Sequence, residues 1–551
     1  MSVTVGAATA WSQVPTDLPN PDVREFAQFG AAVDVEGDVA IVGAPFDRTD
    51  GVWTGGAHVF RRGPDGGWAL EATLRPVGFD PLSETQFGAH VAISGDVAAV
   101  SAPAERVEGP SGDTSPRGVV YVFRRGPGRA WALETELTQA PAGQLRYGAA
   151  LDLVGDTLVV GARDAFAGLP GQGQGQARVA ARPGGLCEYG DAYEPARVEV
   201  VRYDGAAWVR TDSLVAPDGR IGTGFGAAVS LDGGVLAVGA PFWYTARLCD
   251  EPEAFGLGRA YVFRQSEGGW AAEATLVPDG LEEDDGFGTA VAVSGGRVVV
   301  GAPLFDGAAF GSGAAFSYVS DGGAWAAESR FVGEGTVELD RFGAALDLEG
   351  DYVVVGSPDV RADGALGATY GFRRVGGAWA EGFRVTVDVG ARPVPGGALP
   401  LGLGEAVALD GSTVLIGAPL FADYGPNGDL GAGSVREIGR AYSYTLAQYF
   451  RLALTTEGEG TPAAAAVSLR PPWPNPASVT STASFALDAP AHVRLDVVDA
   501  LGRTVRTVVD SHRDAGPHEV QVDLGGLAAG TYLLRLQSGG RVLARGLAVA
   551  R

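Results

Sequence analysis

Lysine is missing altogether from this chain of 551 residues: all 41 basic side chains are arginine, set against 66 Asp and Glu, for a formal net charge of −25. A lysine-free chain rich in alanine and glycine reflects GC-rich coding, and acidity on this scale fits adaptation to salt. A surface of this sign repels nucleic-acid phosphates and anionic lipid, which argues against both as partners. Histidine is scarce as well. His58, His90, His492, His512 and His518 show no metal-ligand spacing, and the chain has no G-x-S-x-G elbow, no P-loop and no H-E-x-x-H pair. Long apolar runs are absent too, so nothing reaches the roughly 18 residues of a membrane span. The opening residues, MSVTVGAATAW, carry neither the basic n-region nor the apolar core of a signal peptide, which leaves a trimmed start or a mature form as the expectation.

What is abundant is glycine, 85 residues of it, and its placement is periodic. Seven times a Phe-Gly-like pair is followed 14 residues later by a Gly-Ala-Pro-like triplet. The pairs begin at Phe29, Phe87, Tyr147, Phe225, Phe287, Phe342 and Leu403, and the triplets at Gly43, Ser101, Gly161, Gly239, Gly301, Gly356 and Gly417. Within a unit such as FGAAVDVEGDVAIVGAP from Phe29, alternating apolar residues run to a Gly-Asp turn and then into a β-branched stretch, which predicts two strands joined tightly. A third strand follows (AHVFRR after Gly56, VVYVFRR after Gly118), and a fourth starts at a tryptophan, as in WALEATLRP from Trp68. Four strands repeated at this period predict the sheets of a β-propeller.

The tryptophans predict how the ring closes. Trp68, Trp131, Trp208, Trp270, Trp325 and Trp379 each open a fourth strand, whereas Trp11 precedes every complete unit and the last unit, ending near Leu446, has no tryptophan of its own. The segment from Trp11 to Leu18 is therefore expected to complete the last sheet as its outer strand, which removes two open edges. Alanine pairs at 31–32, 149–150 and 344–345 suit strands crowded around a common axis. The expected fold is all-β: a seven-bladed β-propeller over residues 11–446, a linker at 447–466 and a small C-terminal β-sandwich at 467–551.

These units resemble FG-GAP repeats, the blades of integrin α-subunit heads and of many bacterial surface proteins. Integrin blades often carry a D-x-D-x-D-G calcium loop between the pair and the triplet; here that place holds short turns such as Glu36-Gly37-Asp38, with too few oxygens for calcium. The last 80 or so residues resemble the type A sorting domain of type IX secretion cargo. The matching features are Pro474-Asn475-Pro476, the stretch from Val498 to Arg503, the Ala-Gly-Thr-Tyr turn from Ala529 to Tyr532 and a basic end. That resemblance implies contact with the type IX machinery through residues 467–551, and location outside the outer membrane of a Bacteroidetes-like bacterium, secreted or on the cell surface. The charge agrees with a separate tail, because residues 1–466 hold 32 Arg against 59 acidic residues and residues 467–551 hold 9 against 7.

Function is expected on the loops between second and third strands, which share one face and are the longest segments. Candidate ligand-binding residues there are Asp47, Asp50, Trp53, Trp243, Tyr244, Asp306, Asp359, Asp363 and Asp423, with Phe305 and Phe421 among them. Carboxylates beside aromatics suit a protein or glycan ligand or a divalent ion, and Asp and Gly also serve plain turn geometry. The best local calcium candidate is Asp423, Asn427 and Asp429, which lacks the terminal bidentate Glu. The run Glu282-Glu283-Asp284-Asp285 is expected to be solvated. Cys187 and Cys249 fall in neighbouring loops of this face, and export would allow them to form a disulfide. The expected activity is binding or adhesion without catalysis. The alternatives are a polysaccharide lyase or hydrolase with carboxylates converging in the central funnel, or a structural surface-layer component.

Overall fold

The computed structural model describes residues 16–549 apart from several short stretches and the longer ones at 165–194, 243–256, 386–401, 424–435, 446–466 and 470–478. The linker expected at 447–466, both cysteines, and Asp50, Trp243, Tyr244, Asp363, Asn427 and Asp429 lie outside the described residues. Contacts divide the chain into two compact units, Met1–Tyr444 and Thr445–Arg551.

The first unit is built from antiparallel four-stranded sheets, seven of them among the described residues. The first shows the plan: Ala32–Glu36, Val39–Ala44, Gly56–Arg62 and Trp68–Leu74 pair in chain order. Along Ala32–Glu36 burial alternates, so Val33 and Val35 pack into the sheet stack and the residues between them face the other way. The second strand, Val39–Ala44, is buried throughout and reads as a continuous apolar run because sheets cover both its faces. Each innermost strand touches the innermost strand of the next sheet, and the series returns on itself where Ala406–Asp410 meets Ala32–Glu36. The sheet of Ala406–Asp410, Thr413–Ala418 and Arg440–Thr445 takes Thr16–Leu18 as its outer strand, with Asp17 opposite Tyr442. This is a β-propeller.

The core lies between neighbouring blades. Phe29, Phe60 and Trp68 of the first blade pack with Ala408, Leu415 and Ala441 of the last, together with Leu18. Each Phe of a Phe-Gly pair is fully buried against aromatics of its own third strand: Phe87 meets Tyr121 at 5.3 Å, Phe225 meets Tyr261 at 5.6 Å and Phe342 meets Tyr370 at 5.2 Å, all edge to face.

The glycines have a tertiary purpose. A Cβ on Gly43 would lie 2.0 Å from the carbonyl oxygen of Gly88 in the next blade, and Gly239, Gly301, Gly356 and Gly417 stand equally close to Gly288, Gly343, Gly404 and Gly30. The triplet glycine of one blade and the pair glycine of the next therefore mark where two backbones touch. Ser101 departs from the pattern, and the blade facing it opens with a longer inner strand, Leu145–Val154, whose register shifts between Tyr147 and Ala150.

The second unit packs a three-stranded sheet (Val467–Leu469, Thr480–Leu487, Gly516–Asp523) and a four-stranded sheet around Phe485, Val493, Leu495, Leu534 and Leu536. Asp496 is fully buried there, and its carboxylate accepts hydrogen bonds from Thr507 (2.7 Å), Arg494 (2.9 Å) and Arg535 (3.2 Å).

Candidate functional site

Strands run from the Phe-Gly end of each blade toward the tight hairpin and back, so the loops between second and third strands and those leading into each Phe-Gly pair share one face. Asp47 begins such a loop but points inward. It is 1% exposed, pairs with Arg75 at 2.6 Å and accepts the Arg48 N–H at 2.7 Å, while its own carbonyl accepts the Gly55 N–H and closes the loop. His58 stands 3.7 Å away, but burial first and then Arg75 push its pKa down to about 3, so it is neutral, and the Arg75 guanidinium supplies balancing charge. Trp53 is half-buried in the short hairpin of Arg48–Thr49 and Val52–Trp53, under the Arg48 guanidinium at 3.6 Å. Phe305 is buried as well, edge to face on Phe316 at 5.4 Å, and is no exposed contact residue.

Asp306 does face solvent, and one of its oxygens accepts the Gly311 N–H at 2.7 Å, which holds its loop. Asp359 is half-buried and accepts two hydrogen bonds from Arg341, the second at 3.0 Å, with Glu405 3.6 Å from the same guanidinium. Burial raises the Glu405 pKa, against the pull of Arg341. Asp423 pairs through its backbone, Ala422–Asp423 running against Arg436–Glu437. Among the described residues no group of three or more His, Cys, Asp or Glu is placed to hold a metal ion. In the acidic run, Glu282, Glu283 and Asp284 are solvated as expected, but Asp285 is 4% exposed and accepts the Glu282 N–H at 2.6 Å. Burial pushes its pKa up to about 6, opposed by that N–H and supported by Asp306.

Sequence reasoning missed a second set of polar residues, on the inner strands. Five positions beyond each pair stand Asp34, Ala92, Asp152, Ser230, Ala292, Asp347 and Ala408. Each of the three aspartates accepts the N–H of its own successor with one oxygen, and with the other the N–H of a residue in the next blade: Asp34 from Ile93 at 2.7 Å, Asp152 from Leu231 at 2.6 Å, Asp347 from Leu409 at 2.7 Å. Ser230 does the same toward Val293 at 3.0 Å. Two residues further on, Glu36, Ser94, Asp232, Ser294, Glu349 and Asp410 accept the hairpin glycine N–H of the following blade, Asp410 closing the series on Gly37 of the first. Val154 cannot accept, and Asp152 serves that junction instead. All seven junctions thus carry at least one side-chain-to-backbone tie.

The aspartates crowd one another. Burial pushes Asp347 up to about 7 and Asp152 up to about 6, and raises Asp34, against the backbone N–H groups that favour the charged form; Asp152 and Asp347 add repulsion at Asp34. The sequence shows only part of this: four of the seven units carry Asp or Ser at that offset and the other three carry Ala. On the outer rim the Trp131, Trp208 and Trp379 indole N–H groups each donate to a glutamate of the preceding blade, Glu71, Glu134 and Glu328, at 2.9 Å.

Parts of the chain match known families. Residues 11–60, 208–263 and 270–318 match the FG-GAP repeat family, and residues 472–549 match the secretion system C-terminal sorting domain. No curated protein matches the chain. Among solved structures it is similar to the β-propeller domain of the Trilobed protease from Pyrococcus furiosus, with 9% identity, a TM-score of 0.38, and coverage of 77% of this chain and 97% of that one. The chain is an all-β propeller protein. It carries FG-GAP repeats and ends in a type IX sorting domain, which makes it a secreted or cell-surface protein that engages the secretion machinery through its tail.

Proposed function

We propose that this protein is a binding or adhesion module, exported through a type IX pathway to the outside of the outer membrane, that receives a protein or glycan ligand on the Phe-Gly face. The observation that carries this reading is how the charges of that face are used. Asp47 with Arg75, Asp306 with the Gly311 N–H, and Asp359 with Arg341 all hold loops in a set shape on a ring tied at every junction. Fixed loops on a stiff frame suit recognition, because little ordering entropy is lost on binding.

Cells displaying the full chain are expected to adhere to a panel of immobilised glycans and proteins, and cells whose copy lacks residues 467–551 are expected to retain the product internally and lose adhesion. Equal adhesion by both strains overturns the reading. Calcium is tested by melting the full chain with the ion and with chelator, since a ligand of the folded state raises Tm. A rise that is lost in Asp423→Ala with Asp429→Ala assigns calcium to Asp423, Asn427 and Asp429; an unchanged Tm removes it.

The axial carboxylates favour a second reading, a polysaccharide-active enzyme, because clustered acids with raised pKa are what such chemistry needs. Against it, both oxygens of Asp34, Asp152 and Asp347 are already engaged by backbone N–H groups. Turnover of a polysaccharide by the full chain, abolished in Asp347→Ser, would establish it.

A further inference from the structure

The fifth blade holds two large apolar side chains out in solvent, and the backbone is arranged to keep them there. Phe310 is 65% exposed and Leu339 47%. Phe310 lies on the loop from Phe305 to Gly313, whose shape is set from within. The Gly313 N–H donates to the Phe305 carbonyl at 2.9 Å, the Ala308 and Ala309 N–H groups to the Ser312 hydroxyl, and the Gly311 N–H to Asp306. Leu339 lies on the loop that leads into Phe342. The two loops are zipped together, with the Leu339 N–H donating to the Phe310 carbonyl at 3.0 Å and the Phe342 N–H to Ser312 at 3.0 Å. A Cβ on Gly311 would come within 2.8 Å of the Leu339 side chain, so that glycine makes room for it, and Val332, 38% exposed, borders Gly307 of the same loop.

The choice of leucine stands out against the preceding blade. There the equivalent loop has the same turn, closed by the Glu282 N–H on Asp285 as Val337 closes on Asp340, and the residue in the left-handed region is Asp284 at φ 72°. Leu339 adopts φ 61° at that place. Asp tolerates this region through its short polar side chain, whereas leucine is strained there and gains no burial in return. A strained backbone that presents an apolar group to water points to a contact made with something else. Around this ledge the exposed charges are acidic apart from Arg330: Asp306 on the same loop, Glu338 beside Leu339, and Glu282 and Asp284 on the loop whose Asp285 feels Asp306. Arg341 nearby is engaged by Asp359, and Arg330 lies over the Phe305 ring at 5.6 Å.

We infer that Phe310 and Leu339 are the docking point for a partner protein that presents an apolar side chain between lysines or arginines. Two exposed apolar side chains on loops tied to each other suit an apolar side chain, and the mostly acidic rim suits a basic surround. The inference rests on the Phe-Gly face being the binding face.

The test pans a random-peptide library against the full-length protein and compares retention by the wild type, Phe310→Ser, and Phe310→Asp with Leu339→Asp. Both side chains are exposed and Leu339→Asp copies the residue of the preceding blade, so the variants are expected to melt with the wild type. Selected peptides are expected to share an apolar residue flanked by Lys or Arg, to lose at least about tenfold in affinity on the double variant, and to weaken with salt. Peptides that bind wild type and double variant alike overturn the ledge and leave the binding face standing. Glycan-array binding lost in the same variants overturns the protein partner. Retention of neither peptide nor glycan by the wild type overturns both readings.

Discussion

Asp47 is a buried carboxylate and Asp347 a half-buried one, and they depend on opposite partners. Asp47 has the Arg75 cation, so replacing it by alanine leaves a guanidinium that is only 28% exposed without its ion partner. Asp47→Ala is expected to cost about 3 kcal/mol, the low end for a broken buried pair, read as a shift in denaturant midpoint. Among the described residues Asp347 is met by N–H donors and by the charges of Asp152 and Glu349, and burial pushes its pKa up to about 7. A carboxyl whose folded pKa exceeds its unfolded value binds more protons folded than unfolded between the two. Stability from Asp347 is therefore present at low pH and lost as pH rises from about 4 through about 7. Asp347→Ser keeps a hydroxyl acceptor, as Ser230 does in the fourth blade, and drops the charge. The variant is expected to flatten the fall of stability over that window by up to about 1.4 kcal/mol per pH unit; an unchanged slope in urea titrations at successive pH values rejects the assignment. Asp47 and Phe305 looked like exposed loop residues because a linear reading cannot see that Arg75 and Phe316 return to cover them.

At the scale of strands and turns, glycine serves two purposes that look alike in the sequence. Gly350 sits in a hairpin at φ 55° with open space around its missing Cβ, whereas Gly356, six residues on, faces the Gly404 carbonyl oxygen, 2.0 Å from where a Cβ would stand. Gly350→Ala is expected to cost about 1 kcal/mol for the left-handed backbone. Gly356→Ala must push two blades apart and is expected to cost more than about 3 kcal/mol. Thermal melts of the two variants side by side check this, and similar losses would refute the contact. Strand pairing and the pair-to-triplet spacing were legible because period-2 alternation and tight turns are local. The ties from Asp34, Asp152 and Asp347 were not, because each joins residues 59 to 79 positions apart whose adjacency exists only once the blades stand side by side.

For the molecule as a whole, closure is the decisive event. Thr16–Leu18 pairs with Arg440–Thr445, Leu18 is buried, and Asp410 bonds to Gly37, so the two ends of the propeller sequence hold each other. Removing residues 1–18 is expected to leave the Arg440–Thr445 edge unpaired and to turn the full-length protein into concentration-dependent oligomers, seen by light scattering on a sizing column. A truncated chain that stays monomeric at high concentration would show that the outer strand is dispensable.

The amino-acid order determined the repeat, the strand pattern within each unit, the extra strand before the first unit and the change of character at the sorting domain. All of these depend on neighbours close in sequence or on counting. The tertiary structure alone decided which polar groups are spent. It drew Asp47 under its loop, turned three aspartates into ties around the axis, and left Phe310 and Leu339 outside. Burial and partnership belong to distances across blades, and no local pattern encodes those distances.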